Sequence, residues 1–509
     1  MKFIVLSAIL LIFAFPPFNI WLLAWVAFVP LFFAIDNQRP LKAFLMSYLS
    51  GFLFFLGTMY WLIHVTLPGM IIVVAYLALY FGVFGIIIRN AIHNTRYVIL
   101  FYIPAAWVTL EWIRSHVLTG FGWQLLGYSQ SFNLPVIQIA DITGIYGVSF
   151  LIIMLSSAVF VYIKNFRKKP DAIMQLAAAG VIIFLTVSYG VFRLNNVFTG
   201  EKIKVTVVQG NIPQNEKWDR SFTENILSKY IWLTKEAAKE NPDLIIWPET
   251  SVPGFIENES NLFDAVKNLA IDIKTPLLVG APRYEEIEKK DVYYNSAYLF
   301  LKDGAIKGRY DKIHLVPFGE YLPFKGALSF VNNFAPRPIG DFAAGKEYTV
   351  FKFFIRRSAK DKNISMSMLK NVGFSSLICF EDIFPELSRE FVKNGASFLV
   401  NITNDGWFGP TAAAYQHAQN SVFRAVENRV SVVRSANRGL SCFIDQKGRI
   451  TARVESAGKD LFVEGLKSQE IVLSKTKTFY NTYGDIFAYL CIFFTMWNIV
   501  HSLRTPKSG

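Results

Sequence analysis

The sequence predicts a two-part chain: an α-helical transmembrane bundle of about eight helices and an extramembrane α/β sandwich. Three observations predict it. Of 509 residues, 53% are hydrophobic and 16% aromatic, and the mean hydropathy is +0.34, which is too apolar for a wholly soluble protein. Long charge-free apolar runs fill the first 190 or so positions, whereas an ordinary soluble composition runs from Glu201 to about Lys477. From position 202 onward short β-rich runs alternate with helical stretches, the pattern of a layered α/β domain.

A bilayer-spanning helix needs about 20 apolar residues. Such runs fall at roughly 3 to 17, 19 to 35, 43 to 65, 69 to 88, 97 to 118, 146 to 163, 172 to 192 and 482 to 503. The first ends at Pro16-Pro17 with no small-residue cleavage site before the next run, so it reads as a retained helix and not as a signal peptide. These runs divide the chain into a bundle over 1–194 with about seven helices, a domain over 195–478, and a closing helix with a tail over 479–509.

Charge sets the expected orientation. A cytosolic N-terminus puts Lys2, Arg39, Lys42, Arg89, Arg96, Lys164, Arg167, Lys168, Lys169, Arg504 and Lys507 on the cytosolic side, and the short loops on the other side, near 18, 66 to 69 and 119 to 145, carry no Lys or Arg. By the positive-inside rule the 195–478 domain lies outside the cytosol. The net charge of +13 is not a nucleic-acid footprint, because residues 193 to 480 hold 39 Lys+Arg against 33 Asp+Glu, and the remaining excess sits in membrane loops. The segment 119–145 lacks lysine and is rich in Gly, aromatic and amide residues, which suits an interfacial loop. Glu111 and Arg114, three apart in EWIR, suit a pair on one helix face.

Within the external domain, KVTVVQ, DLIIWPE, PLLVGAPR, YYNSAYLFL, FSSLICFED, SFLVNITND and VSVVRSANRGLSCFI read as strands, with helices between several of them. Polar residues gather at the strand ends, where an α/β fold builds its site. Glu249 follows DLIIWP, Cys379 follows FSSLI, Asn404 and Asp405 follow SFLVNIT, and Lys312 lies in RYDKIHLVPFGEYLP just past another strand. A buried Cys after a strand is most often a small hydrophobe, but a nucleophilic thiol needs a base nearby, and this chain supplies a carboxylate and an amine at other strand ends. Cys442 and Cys491 have no such company, and three cysteines are too few for a disulfide framework. The six histidines show no metal-ligand spacing and no Gly-rich phosphate loop occurs, so no cofactor and no metal are expected.

The segments WPET, YDKIHLVPFGEYLP, CFEDIFPE and NDGWFG, in that order, resemble the nitrilase superfamily and, within it, the apolipoprotein N-acyltransferases of Gram-negative bacteria. VQGNIPQNEKWD and EWIRSHVLTGFGWQLLGYSQ extend the resemblance over nearly the whole chain. It implies a nitrilase-like αββα sandwich and a catalytic triad in which Glu249 is the general base, Lys312 stabilises the oxyanion and Cys379 is the nucleophile. Glu320, Glu381, Trp218 and Trp407 match supporting positions, whereas Phe380 departs from the Tyr expected after the Cys in many members. The implied reaction moves an acyl chain from a phospholipid, through a Cys379 thioester, to the N-terminal amine of a diacylglyceryl-cysteine lipoprotein. The implied location is the bacterial inner membrane with the catalytic domain on the periplasmic side. The apolar, aromatic segment 318 to 345 suits either a mobile lid or a packed excursion. Two rival readings are a membrane-tethered nitrilase acting on amides or nitriles, and a scaffold whose external domain only binds.

Overall fold

The computed structural model describes residues 1–89, 91, 98–165, 170–198, 200–217, 219–323, 340–357 and 368–504. The chain divides into two compact units, Met1–Val197 with Thr478–Gly509, and Phe198–Lys477.

The first unit is helical: α1 (Lys2–Ala14), α2 (Phe28–Ile35), α3 (Pro40–Thr58), α4 (Leu67–Ile88), α5 (Val98–His116), the short α6 (Leu134–Ile137) and α7 (Ala140–Thr143), α8 (Ile145–Asn165) and α9 (Pro170–Asn195). Among the described residues, α3, α4, α8 and α9 are long and apolar enough to cross a membrane, and shorter apolar helices accompany them. The eight runs are therefore not eight unbroken helices. The 43 to 65 run stops being α-helical at Thr58 and continues as a 3₁₀ turn over Tyr60–His64, and the 19 to 35 run opens with a 3₁₀ turn over Trp21–Val26. A continuous apolar run specifies burial in hydrocarbon, not continuity of one helix. At 26 residues, α9 reaches about 39 Å, and its Phe184, Leu185 and Phe192 are 60% or more exposed. Outward apolar bulk of that kind suits a lipid surface.

Segment 119–145 is packed into this unit, with Tyr128, Gln130 and Gln138 buried. Glu111 and Arg114 anchor it: Glu111 Oε1 accepts from Leu126 N at 2.7 Å, and Arg114 Nη2 donates to Gln124 O at 3.2 Å. Lys164 and Asp36 pair at 2.7 Å, so the ends of α2 and α8 share one side of the bundle.

The second unit runs β1 (Lys202–Gln209), α10 (Thr223–Ala238), β2 (Leu244–Ile246), α11 (Ser260–Ile273), β3 (Leu277–Ile287), β4 (Lys290–Phe300), β5 (Ile306–Asp311), β6 (Phe351–Arg357), β7 (Met368–Ile378), α12 (Pro385–Lys393), β8 (Phe398–Thr403), α13 (Ala413–Asn428), β9 (Ser431–Ala436), β10 (Cys442–Ile444), β11 (Ile450–Arg453) and β12 (Gly465–Val472). The strands form two six-stranded sheets, ordered β12-β1-β2-β3-β4-β5 and β11-β10-β9-β8-β7-β6. Ser435 on β9 donates to the carbonyls of Val208 and Ile246, so the sheets lie face to face. Helices α10 and α11 cover the outer face of the first sheet, burying Ile226, Tyr230, Val266 and Leu269 against Trp247, Val279 and Tyr298. Helices α12 and α13 pack beside β7 to β10. The result is the α/β sandwich expected from the strand and helix alternation, in the αββα form that the family resemblance implies. Each sheet holds a parallel core, β1-β2-β3 or β7-β8-β9, and β2, β7 and β8 deliver their polar ends to the site.

Candidate active site

Glu249 lies three residues past β2 and is 7% exposed. Its approach to β3 depends on Gly280: a Cβ there would come within 2.6 Å of Pro248 O, 2.7 Å of Thr250 N and 2.8 Å of Glu249 Cα, all backbone atoms. Lys217 donates from Nζ to the Glu249 carbonyl at 2.8 Å, and burial pulls that lysine down to about 8 against the charges of Glu249 and Cys379.

Lys312 follows β5, and its N–H donates to Asn295 O on β4 at 2.8 Å, which extends the ladder past the strand end. The ammonium is 1% exposed. A tight turn, with Glu320 N bonded to Val316 O at 2.9 Å, brings Glu320 back onto it. Lys312 Nζ donates to Glu320 Oε1 at 2.9 Å and lies 3.9 Å from Glu249 Oε1. Burial works against the lysine charge, but Glu320 and then Glu249 outweigh it and hold its pKa above the ordinary lysine value. Asn295 joins the two carboxylates, donating from Nδ2 to Glu249 Oε1 at 2.7 Å and Glu320 Oε1 at 2.9 Å.

Cys379 stands at the end of β7, nine-tenths buried, with φ at 53°, a left-handed backbone uncommon for a residue with a Cβ. Burial, reinforced by the nearby Glu249 carboxylate, pushes its thiol well above the ordinary cysteine value, with Lys312 opposing. The thiol therefore favours its protonated form, and only a neighbouring base could make such a thiol a nucleophile.

Glu381 ties the Cys379 loop to the Lys312 loop across the two sheets. Its Oε2 accepts from Ile378 N at 2.7 Å, while Oε1 accepts from Tyr310 OH and Ile313 N at 2.7 Å and from His314 N at 3.1 Å. Burial pushes this carboxyl up to about 7, opposed by those donors and Lys312. Phe380 is buried and packs edge-on against Phe384 at 5.4 Å. Trp407 lies on the turn after β8 and is 39% exposed. Trp218 lies outside the described residues, as does 324–339, the middle of the segment considered as a lid.

Several site residues escaped the sequence reading. Asn295 was passed over as one polar residue within YYNSAYLF, although an amide in the middle of an apolar strand is a signal that it is buried and bonded. Asn401, an amide within SFLVNIT that donates to the Cys379 carbonyl, carries the same signal, whereas Lys217 and His417, which reaches that carbonyl too, carry none. Among the described residues no group of three His, Cys, Asp or Glu side chains is arranged to hold a metal ion.

Residues 7–158 match the model for the apolipoprotein N-acyltransferase N-terminal domain, and residues 204–475 match that for carbon-nitrogen hydrolase. An apolipoprotein N-acyltransferase of Geobacter metallireducens is 40% identical over 503 residues, covering 96% of this chain and 92% of that one. The chain belongs to the apolipoprotein N-acyltransferase family. A second member, from Chlorobaculum tepidum, is 30% identical, with 96% of this chain and 93% of its own covered. Among solved structures, Saccharomyces cerevisiae Nit3, of the nitrilase superfamily, aligns with 61% of this chain and 97% of its own at 19% identity and a TM-score of 0.37. As an apolipoprotein N-acyltransferase family member the protein is an enzyme, an acyltransferase with a nitrilase-like catalytic domain and a membrane-embedded N-terminal region.

Proposed function

We propose that this enzyme acylates the N-terminal amine of a diacylglyceryl-cysteine lipoprotein, taking the acyl chain from a phospholipid and carrying it as a thioester on Cys379. The observation that carries the reading is the meeting of a buried carboxylate, a buried ammonium and a buried thiol in one family domain. Glu249 and Lys312 stand 3.9 Å apart, and both act on the Cys379 thiol.

In the first half-reaction Glu249 takes the Sγ proton as the sulfur attacks the ester carbonyl. Lys312 faces the oxyanion of the tetrahedral intermediate, a fixed charge in a site where water screens it little. Collapse breaks the ester C–O bond, and the leaving lysophospholipid oxygen takes the proton back from Glu249. In the second half-reaction the lipoprotein amine attacks the thioester carbonyl and gives its proton to Glu249. Collapse then breaks the C–S bond, and the thiolate recovers the proton. Glu320 and Asn295 hold Lys312 and Glu249 in register through both halves.

Both substrates are lipids, and drawing an acyl chain into water costs about 0.8 kcal/mol per CH₂, which favours a membrane-bound enzyme. The eight apolar runs, with the helices among them completed by 3₁₀ turns, support eight passages of an inner membrane. The one-sided Lys and Arg distribution supports a periplasmic catalytic domain.

The test is intact-mass detection of the full-length protein in detergent, first with phosphatidylethanolamine and then with a diacylglyceryl-cysteine peptide. The expected result is one added acyl mass on Cys379 that disappears as the peptide gains an amide-linked chain. Transfer to water in place of the amine favours a tethered hydrolase, and acyl transfer by Cys379→Ala overturns the covalent route.

A further inference from the structure

The Cys379 carbonyl oxygen is a meeting point for two buried side chains that no step of the acyl transfer uses. Asn401, on β8, donates to it from Nδ2 at 3.0 Å, and His417, on α13, brings Nε2 to 3.1 Å. The ring is fixed from both sides: Nδ1 lies 2.7 Å from Asp405 Oδ1, and Nε2 lies 3.0 Å from Asp382 Oδ1. Asp382 is held in turn by Arg434 Nη1 at 2.6 Å and Ser421 Oγ at 2.5 Å. His417, Asp382, Asp405 and Arg434 are all essentially inaccessible to solvent.

Both ring nitrogens therefore face oxygen acceptors, and a neutral imidazole would turn a lone pair toward one of them. The charged groups facing the ring are Asp382 from the turn after β7, Asp405 from the turn after β8, and Arg434 from β9. Burial pulls His417 down, but the two aspartates outweigh burial and Arg434 and hold it at about 9. The ring donates from both nitrogens throughout the neutral range. Beside it, Cys379 keeps its φ of 53°. A left-handed non-glycine residue costs about 1–2 kcal/mol and persists only where its surroundings over-determine it.

We infer that His417 is a positioning residue for the nucleophile: its ring, oriented by Asp382 and Asp405, donates to the Cys379 carbonyl and holds the left-handed backbone that presents the thiol. It exchanges no proton with substrate. The inference rests on the reading of Cys379 as the acylated residue.

The experiment uses the full-length protein in detergent, with phosphatidylethanolamine in mixed micelles as donor, and three variants: His417→Phe, His417→Gln and Asp405→Asn. Phe keeps ring bulk without a donor, whereas Gln restores a donor. Single-turnover thioester formation should fall about 100-fold in His417→Phe, with half-saturation by phospholipid changed less than about twofold. His417→Gln should recover to within about tenfold of wild type. In Asp405→Asn the ring loses one anion and its pKa falls, so the acylation rate, taken relative to wild type at each pH, should drop as pH rises from about 6 to 8. Equal losses in the Phe and Gln variants would mean simple packing and overturn the inference. So would a wild-type rate in His417→Phe, or superimposable pH profiles for Asp405→Asn and wild type. If His417→Phe does not accumulate as folded protein, the Gln and Asn variants decide alone. Alkylation of Cys379 by iodoacetamide, read by peptide mass, separates the two ideas. A wild type that forms no thioester sinks the functional reading, whereas alkylation at equal rates in wild type and variants sinks the positioning role.

Discussion

At the scale of single residues, Lys312 shows why a charge at this site is not interchangeable with bulk. It is buried against Glu320 at 2.9 Å and Glu249 at 3.9 Å, so Lys312→Met removes the proposed partner of the oxyanion and also strands two carboxylates. Stranding a buried charge costs about 3–5 kcal/mol, and loss of one oxyanion-stabilising group costs about 10²- to 10³-fold in rate. Lys312→Met with Glu320→Gln should therefore recover much of the lost unfolding midpoint while acylation stays at the level of the single variant. Recovery of the rate in the double variant would remove Lys312 from the chemistry. Glu381 separates stability from activity in another way. Its carboxyl is raised to about 7 by burial, above its unfolded value, so its contribution to stability is complete below about pH 4.3 and is lost as pH rises through about 7. The four donors aimed at its oxygens suit the anion, so the acylation rate should rise over the same interval. Glu381→Gln should show a low rate without that rise, and a stability that no longer falls there relative to wild type. A wild-type pH profile in Glu381→Gln would rule the residue out.

At the scale of elements, the strand ends are brought together by close backbone approach as much as by side chains. The turn carrying Glu249 lies against β3, where Gly280 O accepts from Val252 N and Ser251 Oγ at 3.1 Å. Gly280→Ala would press a methyl onto backbone atoms that cannot rotate away, shifting Glu249 from Asn295 and Lys312. A displacement near 1 Å can cost about 10²-fold, so thioester formation should fall at least about tenfold while circular dichroism of the domain is unchanged. An unaltered rate would show that the turn has room to move. The helix α13 makes a related point. Every residue of it except Tyr415 is buried, so its polar side chains must find partners inside, as Arg424 does with Glu427 at 2.8 Å.

At the scale of the whole molecule, the test is topology. The β3–β4 hairpin carries an exposed tip at Glu288 and Lys289, and the proposed orientation, argued from the one-sided loop charges, predicts that tip to be periplasmic. Glu288→Cys should react with a membrane-impermeant thiol reagent in spheroplasts, where the native cysteines, all three buried, react little. Labelling only after the inner membrane is broken would reverse the orientation and with it the lipoprotein reading.

Much of this was legible in the chain because it is written locally. Apolar runs report burial in hydrocarbon or a core, and strand and helix alternation reports an α/β sandwich. WPE, CFED and YDKIH each show their polar residue at a strand end. Where an apolar run ceases to be one helix was not legible, as the turn at Tyr60–His64 inside the 43 to 65 run illustrates, because hydrophobicity alone does not distinguish a helix from a buried turn. Nor was the company each catalytic candidate keeps. Asn295 reaches Glu249 from 46 positions away, Lys217 reaches its carbonyl from 32, and His417 reaches the Cys379 carbonyl from 38. Such contacts depend on sheet register and on how two sheets stack, and no period in the sequence encodes them. The sequence by itself determined the family motifs that mark candidate reactive residues and the apolar segments of a membrane-embedded region. Only the tertiary structure decided which partners hold those candidates in place, because a buried polar group is stabilised by partners that folding alone brings within about 3 Å.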